Sequence, residues 1–162
     1  MAYTRYSVGV VVHDFATGAE KTIASDPPNG AISSFGFAPD GQRLAFSSNT
    51  GKGEDAASSL SVQSPDGVAH ELFSLHGSNT ILFQAWAADG GDLIYSSQTA
   101  AAPVPRLWRI SALGGPPREM MIQLDTPLNA DFVAVSPDGR RIAYTAGRTA
   151  FEIWTMEGFL PR

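Results

Sequence analysis

A tight-turn motif returns three times at one spacing, and this constrains the fold more than any other feature. Asp40-Gly41, Asp89-Gly90 and Asp138-Gly139 are 49 residues apart each time. Each turn is followed by an apolar run, and the runs stay in register. Leu44, Leu93 and Ile142 coincide, as do Phe46, Tyr95 and Tyr144, and upstream Phe37, Trp86 and Val135. Apolar positions that hold their places while polar loops drift are the signature of a repeated unit stacking on its neighbours.

Each unit reads as four strands, because short runs rich in Val, Ile, Phe, Tyr and Trp are bounded by Gly, Pro, Asp and Ser. The first strands are Ser33 to Phe37, Leu82 to Trp86 and Asp131 to Val135. The second are Leu44 to Ser48, Leu93 to Ser97 and Ile142 to Thr145. The third are Ser59 to Gln63, Arg106 to Ile110 and Glu152 to Met156, and the fourth are His70 to Leu75 and Glu119 to Leu124. Met1 to Thr4 reads as another second strand, with Val8 to Asp14 and Glu20 to Ala24 as a third and fourth. Thr99 to Pro105 is expected to be a loop inside a unit. The units are then approximately 1–25 (partial), 31–75, 80–124 and 130–157 (partial), within a single domain over 1–162. No stretch has a sustained helical apolar period with caps, so little helix is expected.

Composition narrows the function classes. The 11 basic residues are scattered and net charge is -5, so no basic patch exists for nucleic acid. The absence of cysteine removes disulfides, thiolate zinc sites and cysteine nucleophiles. The apolar run Val8 to Val12 is too short to span a membrane, and no signal-peptide pattern surrounds it. A cytoplasmic location is the default reading, with an extracytoplasmic one if the chain belongs to a longer exported protein.

Val135-Ser136-Pro137-Asp138-Gly139-Arg140-Arg141-Ile142-Ala143-Tyr144 resembles the TolB-type propeller repeat, a WD-repeat relative with Pro-Asp-Gly in its first turn. Phe37 to Phe46 is similar, and Trp86 to Tyr95 departs by carrying Ala88 in place of proline. The resemblance implies an all-β fold: a β-propeller segment of four-stranded antiparallel blades, two complete and two partial, with the ring incomplete in this chain. The ending from Phe151 to Pro161 is similar to the ends of long bacterial regulatory proteins in which such propellers follow a kinase or DNA-binding domain. The family implies a binding role, with no catalytic residue and no cofactor.

Candidate chemistry is sparse. Asp40, Asp89 and Asp138 read as turn caps, since aspartate accepts local backbone N–H groups in tight turns; the other reading is cation ligation. His70 and His76 are six apart in an expected strand, which fails the helical zinc-protease spacing, and His13 stands alone. No Gly-x-Ser-x-Gly elbow occurs. Asn49 to Asp55 has a Gly-Lys pair without the rest of a phosphate loop. Phe46, Tyr95, Tyr144, Trp86, Trp108 and Trp154 read as core between units, with an aromatic sugar platform as the other reading.

Blade topology places the loops after the second and fourth strands on the end opposite the Asp-Gly turns. The expected partner-binding face there comprises Asn29, Asn49, Lys52, Glu54, Asp55, His76, Asn79, Asn129 and Arg148. Asn29, Asn79 and Asn129 recur at 50 rather than 49, which fits turn formers better than a ligand ring. The expected function is a non-catalytic scaffold for protein interaction or sensing. The alternative is a TolB-like periplasmic propeller, or an accessory or gating propeller of a peptidase-type hydrolase. A propeller ring takes about 4–8 blades, so upstream sequence or a second copy is expected to complete it. Sedimentation of the 162-residue chain should therefore show self-association, or a monomer that binds a hydrophobe-reporting dye. A monodisperse monomer with no dye binding would contradict the expectation.

Overall fold

The structure, a computed structural model, describes residues 1–99, 102–120 and 133–144. Its strands fall into four antiparallel sheets in sequence order. The first holds β1 (Ala2–Arg5), β2 (Gly9–His13) and β3 (Glu20–Ser25). The second holds β4 (Gly30–Phe37), β5 (Leu44–Thr50), β6 (Ala57–Gln63) and β7 (Ala69–His76). The third holds β8 (Thr80–Trp86), β9 (Asp92–Thr99), β10 (Ala102–Ser111) and β11 (Arg118–Glu119). The last pairs β12 (Val133–Val135) with β13 (Ile142–Tyr144). Strands follow one another across each sheet, so the sheets are propeller blades with β4, β8 and β12 as neighbouring first strands. The expected strand Glu152 to Met156 and most of the expected strand Glu119 to Leu124 lie outside the described residues, as does Trp154.

Sheet faces are apolar because alternate residues of a strand point to opposite faces. Leu44 and Phe46 meet Val10, Ala24 and Ile32 between the first and second sheets. Ala45, Leu60 and Val62 meet Ile81, Trp86, Leu93 and Tyr95 between the second and third. Phe83 and Leu107 pack with Ile142 toward the last. The residues in register at 49-residue spacing, Leu44, Leu93 and Ile142, thus each face the preceding sheet.

Two local expectations are corrected. Most of the expected loop Thr99 to Pro105 is strand: β9 runs to Thr99 and β10 starts at Ala102, with 100–101 outside the described residues. The register shifts between Ala102 and Arg106, so residues 103–105 bulge opposite Gln98. Proline lacks the N–H that a regular ladder needs, and a bulge is one of the few strand positions that tolerates it. Asn49 is also not in a loop; it lies within β5, paired with Ala31 and Ser58. The connection is accordingly short, and a single 3-10 turn, Gly53–Asp55, closes it.

The Asp-Gly turns are self-capped. Asp40 Oδ1 accepts from the Gln42 N–H at 2.8 Å, Asp89 Oδ1 from Gly91 at 2.9 Å, and Asp138 Oδ1 from Arg140 at 3.0 Å. Gly41, Gly90 and Gly139 take φ of 69°, 66° and 69°, a region costly for residues with a Cβ. The bond from the Gln42 N–H, followed by those from Arg43, holds the Asp40 carboxyl below its usual range. Its cap is therefore present above the unfolded carboxylate range and is lost as pH falls through the lower folded value.

Adjacent turns also grip each other. Arg43 bonds Asp40 Oδ2 through Nε at 3.1 Å and Nη2 at 3.0 Å, and its Nη2 reaches the Gly90 carbonyl of the next blade at 2.8 Å. The same guanidinium lies 4.9 Å from the centre of the Trp86 ring, whose Nε1 donates to the Gly36 carbonyl at 2.9 Å. Arg43→Met keeps the stem and removes the bridge, so a loss of about 1–3 kcal/mol is expected from the charged hydrogen bonds. Urea denaturation should show a lower midpoint at unchanged slope; an unaltered midpoint would remove Arg43 from the blade interface.

Candidate functional site: the inner-strand groove and the loop end

The described loop-end residues come from three connections at one end of the second sheet. Asn29 sits at φ 57° in the turn before β4, the left-handed geometry asparagine tolerates. Its carbonyl accepts from the Gly51 N–H at 3.3 Å. Asn79 donates from Nδ2 to the His76 carbonyl at 2.7 Å, within the turn joining β7 to β8. Lys52, Glu54 and Asp55 are exposed at the β5–β6 tip, and His76 is exposed at the end of β7. Lys52 supplies no side-chain cap to the 3-10 turn, so its ammonium is not used in closing that tip. Asn129 and Arg148 lie outside the described residues. Asn29 thus lies with the β5–β6 tip, and the β7–β8 turn joins the same end: the Gly77 N–H donates to the Ala56 carbonyl at 2.9 Å and His76 pairs across from Ala57.

A second site was not legible from turn chemistry. The first strands of three blades line a groove of about 600 Å³ near the Asp-Gly end. Its apolar walls include Phe35 and Phe37 of β4, Phe83 and Trp86 of β8, and Val135 with Pro137 at the end of β12. Phe37 is 42% exposed, whereas its register mate Trp86 is 7% exposed. A large exposed aromatic beside a concave apolar surface is the kind of patch that partners use.

The groove has a polar centre. Gln84 is 8% exposed and accepts a hydrogen bond at Oε1 from the Ser34 hydroxyl. Ser34 Oγ also lies 3.2 Å from Ser47 Oγ, which is 3.0 Å from Ser33 Oγ. Gln84 Nε2 is buried without a partner among the described residues. An unpaired buried donor costs roughly 1–3 kcal/mol. The signal in sequence was slight: one glutamine in the otherwise apolar run Leu82-Phe83-Gln84-Ala85-Trp86.

No group of histidine and carboxylate side chains among the described residues is arranged to hold a metal ion. No described helix is long and apolar enough to cross a membrane. The acidic turn residues that could have suggested a cation site are instead bound to their own backbone N–H groups.

Gln84→Met should leave the melting midpoint unchanged or raised, because shape is kept and an unpaired donor is removed. Ser34 retains Ser47 as a partner. A fall of more than about 1 kcal/mol, the worth of an ordinary hydrogen bond, would show that the amide is already satisfied.

No protein-family model matches the chain, and no curated protein sequence matches it. Solved structures do. TolB from Acinetobacter baumannii superposes with a TM-score of 0.66 at 17% identity, over 88% of this chain and 34% of TolB. A prolyl endopeptidase superposes with a TM-score of 0.57 at 16% identity, over 85% of this chain and 22% of that protein. A putative dipeptidyl aminopeptidase IV from Bacteroides ovatus gives 0.51 at 12% identity, over 70% of this chain and 24% of that protein. The chain thus spans about a third or less of these proteins. With four-stranded sheets, first strands side by side and Asp-Gly turns at one end, the chain has a TolB-like propeller fold.

Proposed function

We propose that this chain is part of a non-catalytic β-propeller interaction module, and that it receives an extended segment of a partner protein in the inner-strand groove. The observation that carries the reading is the exposed Phe37 beside Phe83 and Trp86 in a concave apolar groove. An extended peptide offers alternate apolar side chains for the aromatic walls and backbone groups for the polar side chains between them. The loop end, with Lys52, Glu54 and Asp55 at its tip, serves as an outer contact. Further blades, on the same polypeptide or on a second copy, complete the ring around the groove. A larger bacterial regulatory protein is the setting that the resemblance of the Phe151 to Pro161 ending favours.

The accessory propeller of a peptidase is the second reading, favoured by the overlap with the prolyl endopeptidase fold. The groove serves that reading equally well as a passage for peptide. What separates the two is the domain that shares the polypeptide: a peptidase domain in frame supports the accessory reading, and a kinase or DNA-binding domain supports the interaction module.

Peptides selected for binding to the chain should lose affinity at least about tenfold with Phe37→Ser, the fall expected for an exposed aromatic anchor. Gln84→Met should weaken them as well, while Lys52→Glu leaves them unchanged. Binders insensitive to Phe37 and Gln84 would move the site to the loop end. Peptide or ester hydrolysis abolished by changing one serine would overturn the non-catalytic assignment.

A further inference from the structure

The face that the second sheet turns toward the first differs in chemistry from its counterpart in the third. Strand pairing sets this face in three cross-strand rows: Phe46, Ser61 and Glu71; Ser48, Ser59 and Ser74; Thr50, Ala57 and His76. In the third sheet the first row reads Tyr95, Trp108 and Glu119. There the Tyr95 and Trp108 rings stack at 6.5 Å with an interplanar angle of 14°. Together with Phe73 of the second sheet, 4.8 Å from Tyr95, they fill the space between blades. Beside Phe46 the tryptophan's place is held by Ser61. The volume of an indole is therefore missing between the first and second sheets, and a cleft of about 540 Å³ opens there.

The cleft is lined by hydroxyls that, Ser74 apart, have no side-chain hydrogen-bond partner among the described residues. Ser48 and Ser61 are each 8% exposed, line the cleft, and have no side-chain hydrogen-bond partner among the described residues. Ser59 and Thr50 are likewise unpaired, and Ser74 meets only His76 Nε2, at 3.4 Å. The Glu71 carboxylate, across the strand pair from Ser61, has no cationic partner among the described residues. No lysine or arginine lines the cleft, so it offers no permanent positive charge to a phosphate or carboxylate ligand, and Glu71 adds a negative one.

We propose that this cleft binds a neutral sugar, one pyranose ring standing where Trp108 stands in the next interface. Hydroxyl-rich ligands both donate and accept, which matches serine hydroxyls that are free to do both. A carboxylate accepts from two neighbouring ligand hydroxyls and strengthens them through its charge. The apolar face of the ring stacks on Phe46. This site lies between blades and is separate from the inner-strand groove, so it stands or falls independently of the peptide reading.

The test is titration of the purified chain with D-glucose, D-galactose, D-mannose and N-acetyl-D-glucosamine, followed by amide NMR shifts. Saturable shifts are expected at Ser48, Ser59, Ser61, Glu71 and Ser74. Glu71→Gln and Ser61→Ala should weaken binding about tenfold or more, as expected for hydrogen bonds involving charged or buried groups, with the melting midpoint retained. Ser61→Trp should abolish binding by filling the cleft as Trp108 does in the next blade; should that variant not fold, the first two decide. No saturable shift with any of the four sugars, shifts confined to the inner-strand groove, or affinity unchanged in Glu71→Gln and Ser61→Ala would each overturn the proposal.

Discussion

The contact between Arg43 and the next blade is the constraint on which the rest of the arrangement depends. One guanidinium caps its own turn through Asp40, holds the Gly90 carbonyl of the following turn and covers the Trp86 ring. Trp86 in turn bonds the Gly36 carbonyl back in the second sheet. A blade cannot bury both faces alone, so its stability is largely interface stability. The turns are consequently part of the interface. A Cβ at Gly90 would come within 3.1 Å of Arg43 Nη2, which ties the glycine to packing as well as to its positive φ.

Fixing the turn ends of neighbouring blades leaves the rest of each wedge to be filled by side chains. Between the second and third sheets aromatic rings fill it; between the first and second, serines leave it open. Along β4 and β8 the same economy produces the groove, where Phe37 remains exposed and Gln84 keeps an amide hydrogen-bond donor unused. Both candidate sites arise where the repeated packing rule is broken by one or two side chains. Ser61 stands across from Phe46 where Trp108 stands across from Tyr95, and Gln84 interrupts an apolar strand.

Most of the fold was legible in residue pattern. The apolar register of Leu44, Leu93 and Ile142 predicts which residues face the preceding sheet, and Asp-Gly predicts the turns. The misreadings have local causes. Pro103 and Pro105 suggest a loop because proline ends regular ladders, yet a bulge in β10 accommodates that segment. Asn49 resembles a loop residue because asparagine favours turns, but its backbone is paired on both sides. The sites were hardly legible. Serines at Ser48, Ser59 and Ser61 look like ordinary polar strand positions until pairing sets them side by side.

The sequence by itself determined the repeat, its strand content and its turn chemistry, because these depend on period, side-chain type and backbone preference within a few residues. Only the tertiary structure decided which polar groups are buried without partners and which aromatic is left uncovered. Those properties belong to pairs of strands tens of residues apart. The Ser34–Gln84 contact spans 50 positions, and no local pattern encodes whether the far partner is present.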